Sequence, residues 1–548
     1  MKNIFKHDYP LHSKISSNGY DKWISWITVL FIIGFAFLQI WAMHIDSVPV
    51  CYDPLHLSNA SRLLAWAAFG KEGALKEFRH NLAVSAYPPL IHIVSFPFEL
   101  VSEGSTFGLK IAMAAWGCLA LLGTFLLTRK IAGPFAGLVA MVIISGMSGF
   151  TAFDRIYMPD APLGAITAIA LWLVLKTDNF HRLKMSMIAG LICGLGCLVK
   201  QSFPFAIIGP VILFFGLGVF RSDQNKRSRV SIHFILFSII TIAVPLCYYI
   251  PRLSFFIADR TAVNEFYKST ELLKYQPTLY MKYLLKMAGP VAIMLALIGA
   301  LSNIKNRNSI FLLCSILIPL FTLDLVFVMD SERYVIPLLP AIAALASLTV
   351  PLASRNLSRV GLVLALLICA FFGGKLIWSV VPDPRPFTYQ DFHNRLQTEG
   401  MTKPRRINWN VNELYRRLIS LGPTGQIIVL GDHPFTEAIQ SAAYDADPRS
   451  PLENLFEGAG FGRPPKGLDT LQSIEKHLAL ANIILVDSGL GTDPDAAAYT
   501  GNVSQSYANL VFQAFIHVKD RFNLIESVPI PETSRSLLIY KKNLQGDL

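Results

Sequence analysis

Eleven apolar runs divide the first 382 residues, and they constrain the fold more than any other feature of the chain. They lie near 23–43, 107–128, 131–149, 161–176, 185–199, 204–220, 229–250, 286–303, 309–329, 334–353 and 359–380. About 20 apolar residues in a helix cross the hydrocarbon of a bilayer, so the runs predict a polytopic α-helical membrane protein of about 11–13 transmembrane helices. The first run, Trp23 to about Met43, is too long for a signal-peptide core and has no small-residue cleavage site before Asp46. It reads as a retained span. Composition agrees: 53% of the 548 residues are hydrophobic and 16% are charged, against about 25% charged in an average soluble chain. A purely soluble enzyme, a disordered chain and a fibrous repeat are excluded.

Charge is unevenly placed. The net charge is +11, yet residues 383–548 carry 16 Lys and Arg against 19 Asp and Glu, so the excess of positive charge belongs to the apolar part. Alternate connections are basic: Arg129 and Lys130, then Lys176, Arg182 and Lys184, then Arg221, Lys226, Arg227 and Arg229, then Lys305 and Arg307, then Arg355 and Arg359. Basic connections stay in the cytoplasm, which puts the N-terminus there too. The other face receives 44–106, 150–160, 251–285, 330–333 and the whole tail. This is loop charge, not a nucleic-acid patch. The segment Tyr87-Pro88-Pro89-Leu90 to Val101 is short, opens on two prolines and would invert that pattern if it crossed, so it reads as an interfacial or re-entrant helix. The seven cysteines are scattered, mostly inside apolar runs, and predict no disulfide framework.

From residue 383 the pattern changes to that of a soluble α/β domain. Asn412–Leu421 is an amphipathic helix stopped by Gly422-Pro423. Gln426–Asp432 and Asn482–Asp487 are short continuous apolar runs, as in buried parallel strands, and Leu471–Leu480 is a helix leading into the second. Phe522–Pro529 and Ser536–Lys541 suggest a further pair of strands. No G-x-G-x-x-G follows the first strand, so dinucleotide binding has no support. The expected division is a membrane domain at 1–382 and a periplasmic or extracellular domain at 383–548.

Polar residues gather at the ends of the runs that face outward. Tyr52-Asp53-Pro54-Leu55-His56 follows the first run, Asp154-Arg155-Ile156-Tyr157-Met158-Pro159-Asp160-Ala161-Pro162 precedes the fourth, and Lys200 ends the fifth. Arg252 and Arg260 lie in the 251–285 loop, and Glu332-Arg333-Tyr334 opens the tenth run. A carboxylate is what an acceptor hydroxyl or amine needs for deprotonation. Several Arg and Lys donors are what a phosphate leaving group needs. Together at a membrane surface they suit a substrate whose tail stays in lipid while its head reacts outside: a sugar on polyprenyl phosphate. The plain alternatives are caps and anchors. Asp53-Pro54 and Asp160-Ala161-Pro162 both suit helix starts, and Lys200 and Arg333 could snorkel.

With these residues in order, the chain resembles integral-membrane glycosyltransferases of the GT-C fold, in the broad group of lipid A aminoarabinose transferases and protein O-mannosyltransferases. The likeness covers about 50–380. It is carried by Asp53, by Tyr87-Pro88-Pro89-Leu90, by Arg155 with Asp160-Ala161-Pro162, by Gly194-Leu195 with Lys200, and by Arg333-Tyr334 with Pro337 and Pro340. The resemblance implies that Asp53 is the base for the acceptor and Asp160 the second acidic site residue. It implies a substrate and phosphate-binding set of His56, Tyr87, Arg155, Lys200, Arg252, Arg260, Arg333 and Tyr334. His56 stands where aminoarabinose transferases resemble Asp-x-x-Arg, and Ala86-Tyr87 where they carry an acidic–basic pair. These departures leave the donor sugar open. No cofactor is required, but Asp53, His56 and Asp160 are the set that could hold a divalent metal cation. The implied partners are a polyprenyl-phosphate-linked sugar, a glycan, lipid or protein acceptor, and membrane lipids, in a plasma (inner) membrane. Two rivals stand beside this reading: a transporter of lipid-linked sugar or small solute, and a non-catalytic scaffold.

Overall fold

The computed structural model describes residues 18–45, 55–71, 73–84, 87–254, 256–257, 278–326, 332–350, 358–382, 410–421, 426–430, 439, 452–454, 470–488, 501–530 and 536–543. The helices of the apolar part are α1 Asn18–Ile45, α2 Leu55–Ala68, α3 Ala74–Val84, α4 Leu90–Val101, α5 Thr106–Ala132, α6 Pro134–Ser145, α7 Ser148–Phe153, α8 Asp160–Lys176, α9 Leu183–Val199, α10 Phe203–Arg221, α11 Gln224–Tyr249, α12 Leu279–Ala288, α13 Pro290–Ser302, α14 Arg307–Val326, α15 Leu339–Ser347 and α16 Ser358–Val380. The chain is a multi-pass helical membrane protein.

Each of the eleven apolar runs holds a helix, but hydropathy overstates how many are single spans. Among the described residues six helices are long and apolar enough to cross on their own: Lys22–Ile45, Thr106–Ala132, Phe203–Arg221, Gln224–Arg252, Arg307–Asp324 and Arg359–Val380. A seventh is counted only if α12 and α13, bent by 102°, are taken as one. The bend falls at Gly289, whose φ of 84° ends α12, and at Pro290, which starts α13. The run at 131–149 breaks after Ser145 into α6 and α7. The run at 334–353 opens as a 3-10 segment, Glu332–Leu338, with Pro337 inside it, and only then becomes α15. Proline removes a donor from the helix ladder, and these breaks put irregular backbone next to polar side chains.

The stretch between α1 and α5 contains more structure than expected: α2 and α3 precede α4. Helix α4 has 12 residues, about 18 Å at 1.5 Å per residue, too short to cross. Small residues bring the main helices together, as expected where lipid offers no competing hydrophobic drive. α5 packs on α8 and α9 on α11; a Cβ at Gly123 would come within 2.9 Å of Ala168.

In the tail, α17 Val411–Leu421, α18 Leu471–Leu480 and α19 Gly501–Val518 accompany a five-stranded sheet of order β2-β1-β3-β5-β4. The strands are β1 Ile427–Leu430, β2 Leu452–Asn454, β3 Ile483–Asp487, β4 Phe522–Pro529 and β5 Ser536–Lys542. β1 pairs in parallel with β2 and β3; β5 runs antiparallel to β3 and β4. Alternate residues of β1 and β3 feed two separate cores. Ile427, Val429, Ile483 and Leu485 meet Leu414 and Leu418 of α17, whereas Ile428, Leu430, Ile484 and Val486 meet Ile474, Leu478, Val511 and Phe515 of α18 and α19. Burial on both faces is why these strands read as unbroken apolar runs.

Candidate active site

The site is built around the first residue of α8. Asp160 is fully buried, and its Oδ1 accepts a hydrogen bond from Lys200 Nζ at 2.6 Å. It does not cap its own helix through the side chain: Pro159 is the N-cap residue, and Asp160 sits in the first turn, where the helix dipole favours a negative charge. Lys200 terminates α9 in extended conformation, so the antiparallel α8 and α9 bring the ion pair together from 40 residues apart. The other carboxylate oxygen, Asp160 Oδ2, is buried with no hydrogen-bond partner among the described residues. An ionised oxygen left so is costly unless something else completes it.

The second wall comes from the 3-10 segment Glu332–Leu338. The Lys200 ammonium lies 4.6 Å from the centroid of the Tyr334 ring, and the Arg333 guanidinium 5.8 Å from it. Tyr280 of α12 stands edge-on to Tyr334 at 6.5 Å and to Tyr283 at 5.9 Å. Lys286 of α12 forms an ion pair with Glu332. Asp324 of α14 accepts from the Tyr280 backbone N–H at 3.2 Å. Cations of both walls therefore converge on one aromatic ring, beside a buried carboxylate.

A further group meets the same end of α9. The Tyr248 hydroxyl donates to the Tyr87 carbonyl at 2.9 Å, and Tyr249 donates to the Cys197 carbonyl at 2.9 Å, one turn before Lys200. The Arg252 guanidinium stacks 4.6 Å from the Tyr248 ring and 5.5 Å from Phe256, and donates to the Tyr248 hydroxyl. Tyr87 and Arg252, far apart in sequence, thus share one cluster.

Arg155 is placed differently. Its Nε donates to Gln39 Oε1 at 2.7 Å, and its two terminal nitrogens donate to the Ser379 carbonyl and hydroxyl at 2.8 Å each. The guanidinium ties α1 and α16 to the connection before α8. Asp53 and Arg260 lie outside the described residues. His56 falls in α2, and its side chain is likewise outside the description. Among the described residues no three His, Cys, Asp or Glu side chains converge as metal ligands.

Sequence reading passed over Lys286 and, of a buried set formed by Ser61, His92, Ser95 and Tyr157, named only Tyr157. A signal existed: His92, Ser95 and Glu99 recur at i, i+3 and i+7 in an otherwise apolar segment, a polar stripe on one face of α4.

Residues 87–249 match the family model described as dolichyl-phosphate-mannose-protein mannosyltransferase, a stretch that includes Tyr87, Arg155, Asp160 and Lys200. No sequence among curated proteins matches the chain. Solved structures do. Apo oligosaccharyltransferase of Archaeoglobus fulgidus matches over 96% of this chain and 75% of its own, with a TM-score of 0.59 at 12% identity. Apo ArnT from Cupriavidus metallidurans matches over 93% of this chain and 97% of its own, with a TM-score of 0.57 at 10% identity. Arabinofuranosyltransferase AftD from Mycobacteria matches over 95% of this chain and 40% of its own, with a TM-score of 0.50 at 13% identity. Backbones that agree over nine-tenths of the chain at such low identity carry the architecture, and the chain has the GT-C fold of the integral-membrane glycosyltransferases.

Proposed function

We propose that this protein is a polyprenyl-phosphate-sugar-dependent glycosyltransferase, moving a hexosyl or pentosyl group to a glycolipid, polysaccharide or protein acceptor on the external face of the plasma membrane. The observation that carries this reading is Asp160: a buried carboxylate with one oxygen on Lys200 and the other unpartnered among the described residues, beside Tyr334 and Arg333. Support comes also from two structural neighbours. ArnT from Cupriavidus metallidurans was solved bound to undecaprenyl phosphate, and the Archaeoglobus fulgidus oligosaccharyltransferase was solved tethered to an acceptor peptide.

In this proposal Asp53 takes the proton from the acceptor hydroxyl or amine as that atom attacks the anomeric carbon. The bond from that carbon to the phosphate oxygen breaks, its electron pair leaves with the lipid phosphate, and configuration inverts. Lys200 and Arg333, with Arg252 and Arg260, stabilise the departing phosphate. Asp160 holds Lys200 in place and offers its second oxygen to a sugar hydroxyl. Arg155, engaged with Gln39 and Ser379, holds the connection that carries Asp160. Tyr87 and Tyr334 shape the walls, and the tail, a separate domain from about residue 383, frames the acceptor side.

Asp53, His56 and Asp160 are the residues that would hold a divalent cation. Asp160 already carries the Lys200 ammonium, which lowers its worth as a ligand, so no step here runs through a metal. Transfer lost to a chelator and restored by one added divalent ion would overturn that choice. The direct test of the function is Asp53→Asn assayed by mass spectrometry of envelope glycans. The expected outcome is loss of the sugar at normal expression; an unchanged glycan would refute the assignment.

A further inference from the structure

Four polar side chains, all nine-tenths or more buried, form a chain of hydrogen bonds outside the set just described. His92 Nδ1 and Ser61 Oγ are 2.7 Å apart, Ser61 Oγ bonds to the Tyr157 hydroxyl, and that hydroxyl donates to Ser95 Oγ at 2.9 Å. Ser61 belongs to α2, His92 and Ser95 to α4, and Tyr157 to the connection that ends at Asp160. The Phe78 ring of α3 stands edge-on to His92 at 6.4 Å. Beside Ser61, Arg62 is also buried: its Nε donates to the Gly104 carbonyl at 2.6 Å and its guanidinium lies 4.8 Å from the Trp66 ring.

We infer that Ser61, His92 and Tyr157 are positioning residues that fix helix α2 against the segment carrying Asp160. The inference deepens the proposed transferase and rests on it. Helix α2 begins at Leu55, two residues after Asp53, and Ser61 lies on its second turn. A helix is stiff, so a directional bond at Ser61 sets the height and rotation of its first turn. Tyr157 stands three residues before Asp160, whose own carboxylate is pinned by Lys200. The connection 154–160 is thus held on three sides: Arg155 on α1 and α16, Tyr157 on α2 and α4, Asp160 on Lys200.

Apolar contacts alone would hold α2 and α4 together, but they do not specify one register. A buried polar chain does, because each slipped arrangement leaves buried hydroxyls unpaired. Transfer needs that specification: a displacement of about 1 Å between reacting groups can cost on the order of 10²-fold in rate.

The test uses the full-length protein in proteoliposomes, with whichever of a panel of undecaprenyl-phosphate-linked pentoses and hexoses supports most transfer. Tyr157→Phe keeps the ring and removes only the hydroxyl. It is expected to lower kcat about 10- to 100-fold while the donor KM and the affinity for undecaprenyl phosphate stay within about twofold. Ser61→Ala should do the same, and the double variant should be no slower than the worse single, because the two act as one unit. Ser61→Thr, which restores a hydroxyl, should recover most of the loss. Wild-type kcat in Tyr157→Phe, or a loss that merely tracks the fraction of folded protein, would overturn the inference. Asp53→Asn run in parallel separates the two levels. If the wild-type protein transfers no sugar from any donor of the panel, the function itself is wrong; if Asp53→Asn retains full transfer, its role as the base is wrong. If it is inactive while Tyr157→Phe and Ser61→Ala are unimpaired, only the positioning role falls.

Discussion

The two ends of the α8–α9 pair, about 25 Å apart along 17-residue helices, are fastened by opposite chemistry. At one end Asp160 and Lys200 form a buried ion pair under Tyr334. At the other, Phe180 is fully buried among Phe215, Phe234 and Phe237, at centroid distances of 6.5, 5.2 and 5.3 Å. That second end is also tight in its backbone. Asp178, Asn179 and Phe180 have φ of 54°, 56° and 65°, a left-handed run that costs about 1–2 kcal/mol per residue for ordinary side chains. A Cβ at Gly218 would collide with the Asn179 carbonyl, and the Phe180 carbonyl lies 2.8 Å from His233 Nδ1. The aromatic end is held by the short connection 177–182, by ring packing and by neutral hydrogen bonds, with no buried ion pair among the described residues. A buried ion pair is no better at that task, since apolar replacements of similar volume are often neutral or stabilising. In the proposed function the polar end serves the chemistry and not the packing.

The contrast can be broken by substitution. Asp160→Asn keeps the shape and removes the charge; sugar transfer in proteoliposomes should fall about 10³-fold or more per folded molecule, and the thermal midpoint should fall too, because the Lys200 ammonium is left buried without its counter-charge. Lys200→Met should lower transfer about 10²- to 10³-fold and, by leaving a buried carboxylate uncompensated, destabilise the protein by about 3–5 kcal/mol. The double variant Asp160→Asn with Lys200→Met should regain most of that stability and none of the activity, as read by detergent melting beside the transfer assay. Phe180→Ala should cost about 3–5 kcal/mol of stability and leave transfer per folded molecule unchanged. The smallest effect is expected for Asp178→Gly, a gain of up to about 1 kcal/mol from relief of the left-handed backbone, seen as a small rise in midpoint.

The sequence makes the two halves of the molecule legible to different depths. Hydropathy located a helix in each of the eleven runs, because an apolar stretch of that length has few other fates. It could not tell a straight span from a broken one. The bend at Gly289-Pro290 and the 3-10 turn through Pro337 depend on how neighbours satisfy freed backbone groups, which no local pattern encodes. In the tail, β1, α18, β3 and the β4–β5 pair all fall where short apolar runs and helical patterning indicated. β2, three residues long, carries too little pattern to be found, and α19 went unassigned.

The candidate site was legible as residue types and not as partners. Asp160 and Lys200 stood out as polar residues at helix ends, but their pairing spans 40 positions. Arg155 stood out as a candidate for gripping phosphate; among the described residues it bonds to Gln39 and Ser379, 116 and 224 positions away. His92 looked like part of an apolar segment until its bond to Ser61 placed it between helices. Type and end-of-helix position survive in a single sequence, whereas convergence is a property of the packed bundle.

The central claim is that the polar end of α8 and α9 is a reaction centre, while the aromatic end is scaffold. The most direct measurement compares Asp160→Asn with Phe180→Ala in one proteoliposome assay, counting sugar transferred from undecaprenyl phosphate per folded molecule. The account predicts a loss of about three orders of magnitude for the first and a wild-type rate for the second. Equal rates for the two variants, or transfer that survives Asp160→Asn, would contradict it.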